Sequence, residues 1–357
     1  MITKPQSFSS LLALLLLTAI GHASAADGAA QAQSGPAWEA QAAVESSYKI
    51  KFDSDLNGES YTLFIRVPIT PPPPQGYAVM YVLDGDFNFG TAADVARTLN
   101  VGPNPPVVVA IGHDLFGDMG VVRRYALRQR GDTTRIGVPD IASVDSMLRF
   151  HDYTLPVAAR HLAPAWTGLT PGNVGGLDQF LRVIETEIKP RVMKLVQVNT
   201  ADSAIFGHSI AGLAVLRALF TEPGAFRTFI AASPSIWWDA DAVLVDETKF
   251  RKAVDSRSVS PRVLITVGAD EPDSPNPPPA LIASLPPDKG RELQAYVSMA
   301  SRWSGMVSGA KNLAERLAGI GGGPDYKVTF VAFPGESHQS VLPASISRGM
   351  WFAFGPQ

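Results

Sequence analysis

The 357-residue chain contains no cysteine. Disulfides, thiol nucleophiles and thiolate metal ligation are therefore excluded. Histidine is scarce, with six in all, and none falls in an HExxH or comparable ligand spacing. A P-loop and a well-placed GxGxxG are also missing. The sequence thus gives no support for a metal site or any other cofactor. Charge is sparse and nearly balanced, with 30 Lys and Arg against 33 Asp and Glu and a net charge of −3. No basic surplus exists to hold nucleic acid or an anionic membrane surface. Long apolar runs are lacking too. The longest at the N-terminus, LLALLLLTAI (11–20), is too short to span a bilayer comfortably. Lys4 precedes it and ASA (23–25) follows, which is the pattern of an export signal cleaved after Ala25. The expected organisation is a signal peptide over 1–25, a flexible Ala-, Gly- and Gln-rich leader over 26–44, and a single domain over 45–357. The expected location is the periplasm or the extracellular space, with no stable membrane insertion after cleavage.

What is present is a set of short apolar segments separated by turns. SYTLFIRVPI (60–69) alternates as a strand does, and PPPPQG (71–76) must be a loop because proline cannot donate to a ladder. YAVMYVLDG (77–85), PPVVVAIGH (105–113), DSAIFGHS (202–209) and RVLITVGADE (262–271) are continuous apolar runs, and KVTFVAFPGESH (327–338) is nearly so. Such runs suit strands buried on both faces. Between them, 177–196, 210–221 and 301–320 carry apolar residues at helical spacing, with Pro190 marking a boundary or kink in the first. The alternation predicts an α/β fold with a mostly parallel central sheet and helices on both faces. Residues 114–176 and the proline-rich 271–290 do not follow this pattern and are expected to be irregular loops.

One segment asks for chemistry. SAIFGHSIAGLAVLRAL (203–219) runs from a strand through a glycine and a serine into a helix. A serine hydroxyl is a poor nucleophile unless a base takes its proton. A sharp strand-to-helix turn lifts the hydroxyl above the sheet and sets a helix N-terminal N–H beside the reacting carbonyl. Ser209 is the candidate nucleophile, with Ala211 where the usual motif has glycine and Gly212 one step later. The order expected of such enzymes is serine, acid, histidine. His338 is the only histidine after Ser209. The strand end VLITVGADEPD offers Asp270, Glu271 and Asp273; Glu271, three residues after Gly268, is preferred, with Asp270 second. His208 is read as a packing or site-wall residue. An oxyanion hole needs two N–H groups, expected from Ile210 and from Asp86 after Gly85. Trp237 and Trp238 could wall a pocket. Arg124 and Arg128, within a cluster that also holds Arg123, Arg130 and Arg135, could meet an anionic substrate.

Taken together, YVLDGDFNF, RFHDYT, GGLDQFLRVIETEIKPRV, the block 204–238 and FPGESHQSV resemble the Putative esterase family of α/β hydrolases, which includes esterase D-like enzymes and siderophore esterases. The likeness runs from about residue 45 to residue 345 and is nearest to the exported siderophore-esterase branch. It implies an α/β-hydrolase fold, Ser209 as nucleophile, His338 as base, and the Asp86 and Ile210 N–H groups as oxyanion donors. The function it implies is an exported serine esterase working through an acyl-enzyme on a small-molecule ester, with a siderophore trilactone as one substrate. An acyltransferase on the same fold and a non-catalytic binding protein are the rival readings. Oligomeric state is left open.

Overall fold

A computed structural model describes residues 44–99, 104–130, 138–157, 169–239, 241–271, 283–291, 294 and 305–356. The expected export signal, nearly all of the expected leader, Asp273 and Arg135 lie outside the described residues, as do the side chains of Arg128 and Arg130. Among the described residues, no helix is long and apolar enough to cross a membrane.

Eight strands form one sheet in the order β1-β2-β4-β3-β5-β6-β7-β8. They are β1 (Ser47–Asp53), β2 (Ser60–Arg66), β3 (Tyr77–Val82), β4 (Pro106–Gly112), β5 (Val198–His208), β6 (Thr228–Ala232), β7 (Arg262–Gly268) and β8 (Lys327–Phe333). The first two strands pair antiparallel, and β2 also runs antiparallel to β4. All other neighbours are parallel. This is the sheet of the α/β-hydrolase fold. The apolar runs become β3 to β7 because both of their faces are covered. Ala78, Met80 and Val82 face one apolar layer, shared with helices α1 (Gly85–Arg97) and α9 (Val341–Phe354). Tyr77, Val79 and Tyr81 face the other, with helices α6 (Ile210–Thr221) and α8 (Met306–Ala318).

The expected helix over 177–196 is resolved into three parts. A helix α4 (Leu177–Val183) passes through a π-helical turn, Ile184–Ile188, into α5 (Lys189–Leu195), with Pro190 in the first turn of α5. Proline has no N–H to give to the preceding turn, and the widened turn falls where that bond would have been.

The stretch from residue 114 departs from expectation. It is not irregular throughout: α2 (Met119–Arg130) and α3 (Val138–Tyr153) occupy much of it. Val121, Val122, Tyr125 and Ala126 lie on one side of α2 and pack with Leu115 and with Ile141, Val144 and Leu148 of α3. The many charges between those positions mask the helical spacing. The pair forms a small apolar cluster of its own, separate from the two sheet layers. Helix α7 (Glu247–Asp255) lies between β6 and β7.

Candidate active site

The carboxyl ends of β3, β5, β6, β7 and β8 bring the sequence-selected residues together. Ser209 sits between β5 and α6 at φ 60° and ψ −119°. A non-glycine residue there is strained by about 1–3 kcal/mol, and the surroundings must enforce it. They do so by close approach. A Cβ on Gly207 would come within 2.2 Å of the Ala211 carbonyl oxygen, and one on Gly212 within 2.9 Å of the Ala232 carbonyl oxygen. The Ser209 N–H donates to Ala232 O at 2.9 Å, and Ser235 N–H donates to Ser209 O at 3.0 Å. Ala211 therefore does not prevent the turn. The hypothetical Gly207 Cβ would lie 3.1 Å from the Ala211 Cβ, so these positions share one small space, and the alanine uses what the glycine leaves free.

Ser209 Oγ is 2.9 Å from His338 Nε2. His338 Nδ1 is 2.7 Å from Glu271 Oε2. The other Glu271 oxygen accepts from the Ser233 hydroxyl at 2.5 Å and from the Gly268 N–H at 2.6 Å. Both side chains of the His338–Glu271 pair are buried. This contact network fixes the carboxylate in one orientation and leaves Nε2 of the imidazole turned toward the serine. Gly268 is required for the geometry: a Cβ there would meet the Glu336 carbonyl oxygen at 2.3 Å. The close approach brings the turn bearing Glu271 against the loop bearing His338. Asp270, the second choice for the acid, is exposed, and its N–H donates to Glu336 O at 3.0 Å.

His208 is buried, and its ring centroid is 4.6 Å from that of His338. Burial, with the nearby His338 and Arg149, holds its pKa well below the usual imidazole range. It is thus a neutral wall to the His338 ring.

The end of β3 lies beside the serine turn, tied by Leu83 N–H to Phe206 O at 2.9 Å. Asp84 follows in the left-handed region at φ 56°, and α1 begins at Gly85. The N–H groups of Asp86 and Ile210 fall in the first turns of α1 and α6, where no intrahelical acceptor exists. The Asp86 side chain has a separate task. Its carboxylate accepts from His113 N–H and Leu115 N–H, both at 2.6 Å, and so holds the loop after β4 against this turn.

Several neighbours were not singled out from sequence. Arg149 of α3 forms a bidentate pair with Asp84, with Nε to Oδ1 at 2.8 Å and Nη2 to Oδ2 at 3.1 Å. Burial opposes its charge, but Asp84 and Asp145 outweigh that penalty and hold the guanidinium charged. Asp145, one turn earlier, has its pKa pushed up to about 7, chiefly by burial, against the pull of Arg149 and with added repulsion from Asp84 and Asp86. Tyr153 donates its hydroxyl to no carboxylate in this contact; the hydroxyl oxygen accepts from Asp84 N–H at 3.2 Å. Arg149 and Tyr153 stand in the RFHDYT motif, which was the available signal. Ser233, the donor to Glu271, stands in SPSIWW.

The expected pocket residues separate. Trp238 is buried, donates Nε1–H to Leu155 O at 3.3 Å and packs on Phe150, while Trp237 is partly buried beside it. Arg124 is exposed on α2, with its guanidinium 6.0 Å from the centroid of the Tyr125 ring. Among the described residues, no group of three or more His, Asp or Glu converges as metal ligands.

Comparison with known proteins adds to this picture. The model of the family described as "Putative esterase" matches residues 54–302. The chain is 31% identical over 302 residues to the ferri-bacillibactin esterase BesA of Bacillus subtilis strain 168, covering 83% of this chain and 86% of that one. It is 29% identical over 283 residues to the siderophore triacetylfusarinine C esterase of Aspergillus fumigatus, covering 77% and 81%. Among solved structures, the BES protein of Bacillus cereus superposes with a TM-score of 0.66 at 26% identity, over 89% of this chain and 99% of that one.

Proposed function

For a chain that belongs to the Putative esterase family, we propose an exported serine esterase that opens carboxylic esters through an acyl-enzyme, with a siderophore trilactone as substrate. Ester hydrolysis is supported by the family and by relatives that are themselves siderophore esterases. The observation that carries the serine mechanism is the hydrogen-bonded series Ser209–His338–Glu271 at a strained strand-to-helix turn.

In this reading His338 Nε2 takes the Ser209 proton as Oγ attacks the ester carbonyl. The Ile210 and Asp86 N–H groups stabilise the oxyanion that forms. Glu271 favours the imidazolium and keeps the ring oriented, while neutral His208 adds no opposing charge beside it. The same imidazole returns the proton to the leaving alcohol, and water then releases the acyl group by the reverse sequence. Export is inferred from the signal-like residues 1–25, the siderophore from the relatives' names, and the trilactone from the family likeness.

The substrate is tested by comparing kcat/KM for a cyclic catecholate trilactone, its linear trimer and 4-nitrophenyl butyrate. The trilactone should be the best of the three. If it is no better than the butyrate, the siderophore assignment fails and a simple esterase remains.

A further inference from the structure

Two exposed phenylalanines lie next to the turn assigned above to the oxyanion. Phe87 directly follows Asp86 in the first turn of α1 and is 49% exposed; Phe116, in the loop after β4, is 59% exposed. Their rings meet edge to face, with centroids 5.2 Å apart and planes at 84°. Single exposed apolar side chains are ordinary, but a contiguous exposed pair beside a catalytic turn is informative. Phe87 is not needed to seat its helix: α1 buries Gly85, Asn88, Ala92, Ala93 and Ala96 instead.

The pair is held in a fixed place. The Asp86 carboxylate grips the backbone just before Phe116 through His113 N–H and Leu115 N–H. On its outer side the same loop is anchored by Asp114, which pairs with Lys49 and Lys51, each at 2.8 Å, and by Asp118, which pairs with Lys51 at 2.7 Å. Two lysines and two aspartates face each other there, so the loop offers no net charge to a ligand. What it does offer is a ring face and a ring edge at a set distance from the Asp86 N–H.

We infer that Phe87 and Phe116 form an aryl-binding platform that selects esters carrying a planar aromatic group remote from the scissile bond. The inference rests on the assignment of Asp86 as an oxyanion donor. An arriving ring can stack on one phenylalanine while meeting the edge of the other, a geometry open to an arene and not to a saturated ring of the same size. Exposed Arg124 is not required for this recognition.

The test uses two ester series with the same 4-nitrophenyl leaving group and the same linker lengths, ending in phenyl or in cyclohexyl. At the linker length that reaches the platform, the wild type should favour phenyl by about 3- to 10-fold in kcat/KM, chiefly through KM. In Phe87→Leu/Phe116→Leu the phenyl-to-cyclohexyl ratio should fall to about one. The substitutions are on the surface and should leave the fold intact. Equilibrium binding to the wild type of the matching amides, which carry the same linkers and end groups but resist turnover, gives the ratio whichever residue is the nucleophile. Equal binding of the two series by the wild type would overturn the platform. So would a phenyl preference that survives the double substitution, since the rings would then serve only to clasp the helix to the loop.

Discussion

The reactive end of the site and its rim are built by different means. Ser209, Glu271 and His338 stand just past the ends of β5, β7 and β8, and backbone contact sets their geometry. Gly207, Gly212 and Gly268 allow chains to approach where a Cβ would not fit. The rim over β3 and β4 depends on side chains reaching across the sequence: Arg149 to Asp84, Asp86 to the loop after β4, Lys49 and Lys51 to Asp114. The proposed catalytic residues are thus set by backbone close packing, while the rim beside them hangs on polar side-chain ties between distant parts of the sequence.

The sharpest break of that contrast is at the acid. Glu271→Gln keeps the shape but opposes the donors around it with an amide, and kcat should fall by about 10²- to 10⁴-fold. Asp270→Asn, one residue away and exposed, should stay within about threefold of wild type. Steady-state kinetics on 4-nitrophenyl butyrate checks both. Equal effects would mean that the hydrogen bond from His338 does not decide which carboxylate acts.

The rim should fail through stability. Arg149→Met leaves the buried Asp84 carboxylate unpaired and should cost about 3–5 kcal/mol, read by urea unfolding. Arg97→Met, by contrast, breaks a pair with Asp94 that is more than half exposed on both sides, and should cost about 1 kcal/mol or less. Similar losses would remove the distinction drawn for the rim.

The smallest effect concerns Asp145. Its pKa in the folded chain, about 7, lies above the ordinary carboxyl value of 3.8. The unfolded chain therefore sheds this proton first as pH rises. The group costs nothing below about pH 4, becomes destabilising between about pH 4 and 7, and reaches its full penalty above that. Asp145→Asn should raise Tm by about 1–3 °C at pH 8 and leave it unchanged at pH 4, as followed by calorimetry. A gain of the same size at both pH values would contradict a titrating Asp145.

The same contrast explains what could be seen in the sequence. The apolar runs announced β3 to β7 because strands buried on both faces need little else. Ser209, Glu271 and His338 could be picked out as candidates because each follows such a run, in the order serine, acid, histidine. β1 was not, since SYKIKFD is a half-exposed edge strand with lysines between its apolar positions. The helices α2 and α3 were obscured because their shared cluster is small and closely flanked by charges. Arg149 could be quoted as part of a motif but not given a task, since its partner Asp84 is 65 residues away. Asp86 was expected for its N–H; the use of its carboxylate to hold a second loop is a tertiary contact that spacing does not reveal.

In the proposed mechanism everything depends on the activation of Ser209 by His338. Reaction with a fluorophosphonate probe, followed by peptide mass spectrometry, tests it most directly. A single adduct is expected on the peptide containing Ser209, absent in Ser209→Ala and formed at least about 10²-fold more slowly in His338→Ala. Labelling of Ser209→Ala at the wild-type rate, or no labelling of the folded wild type, would contradict it.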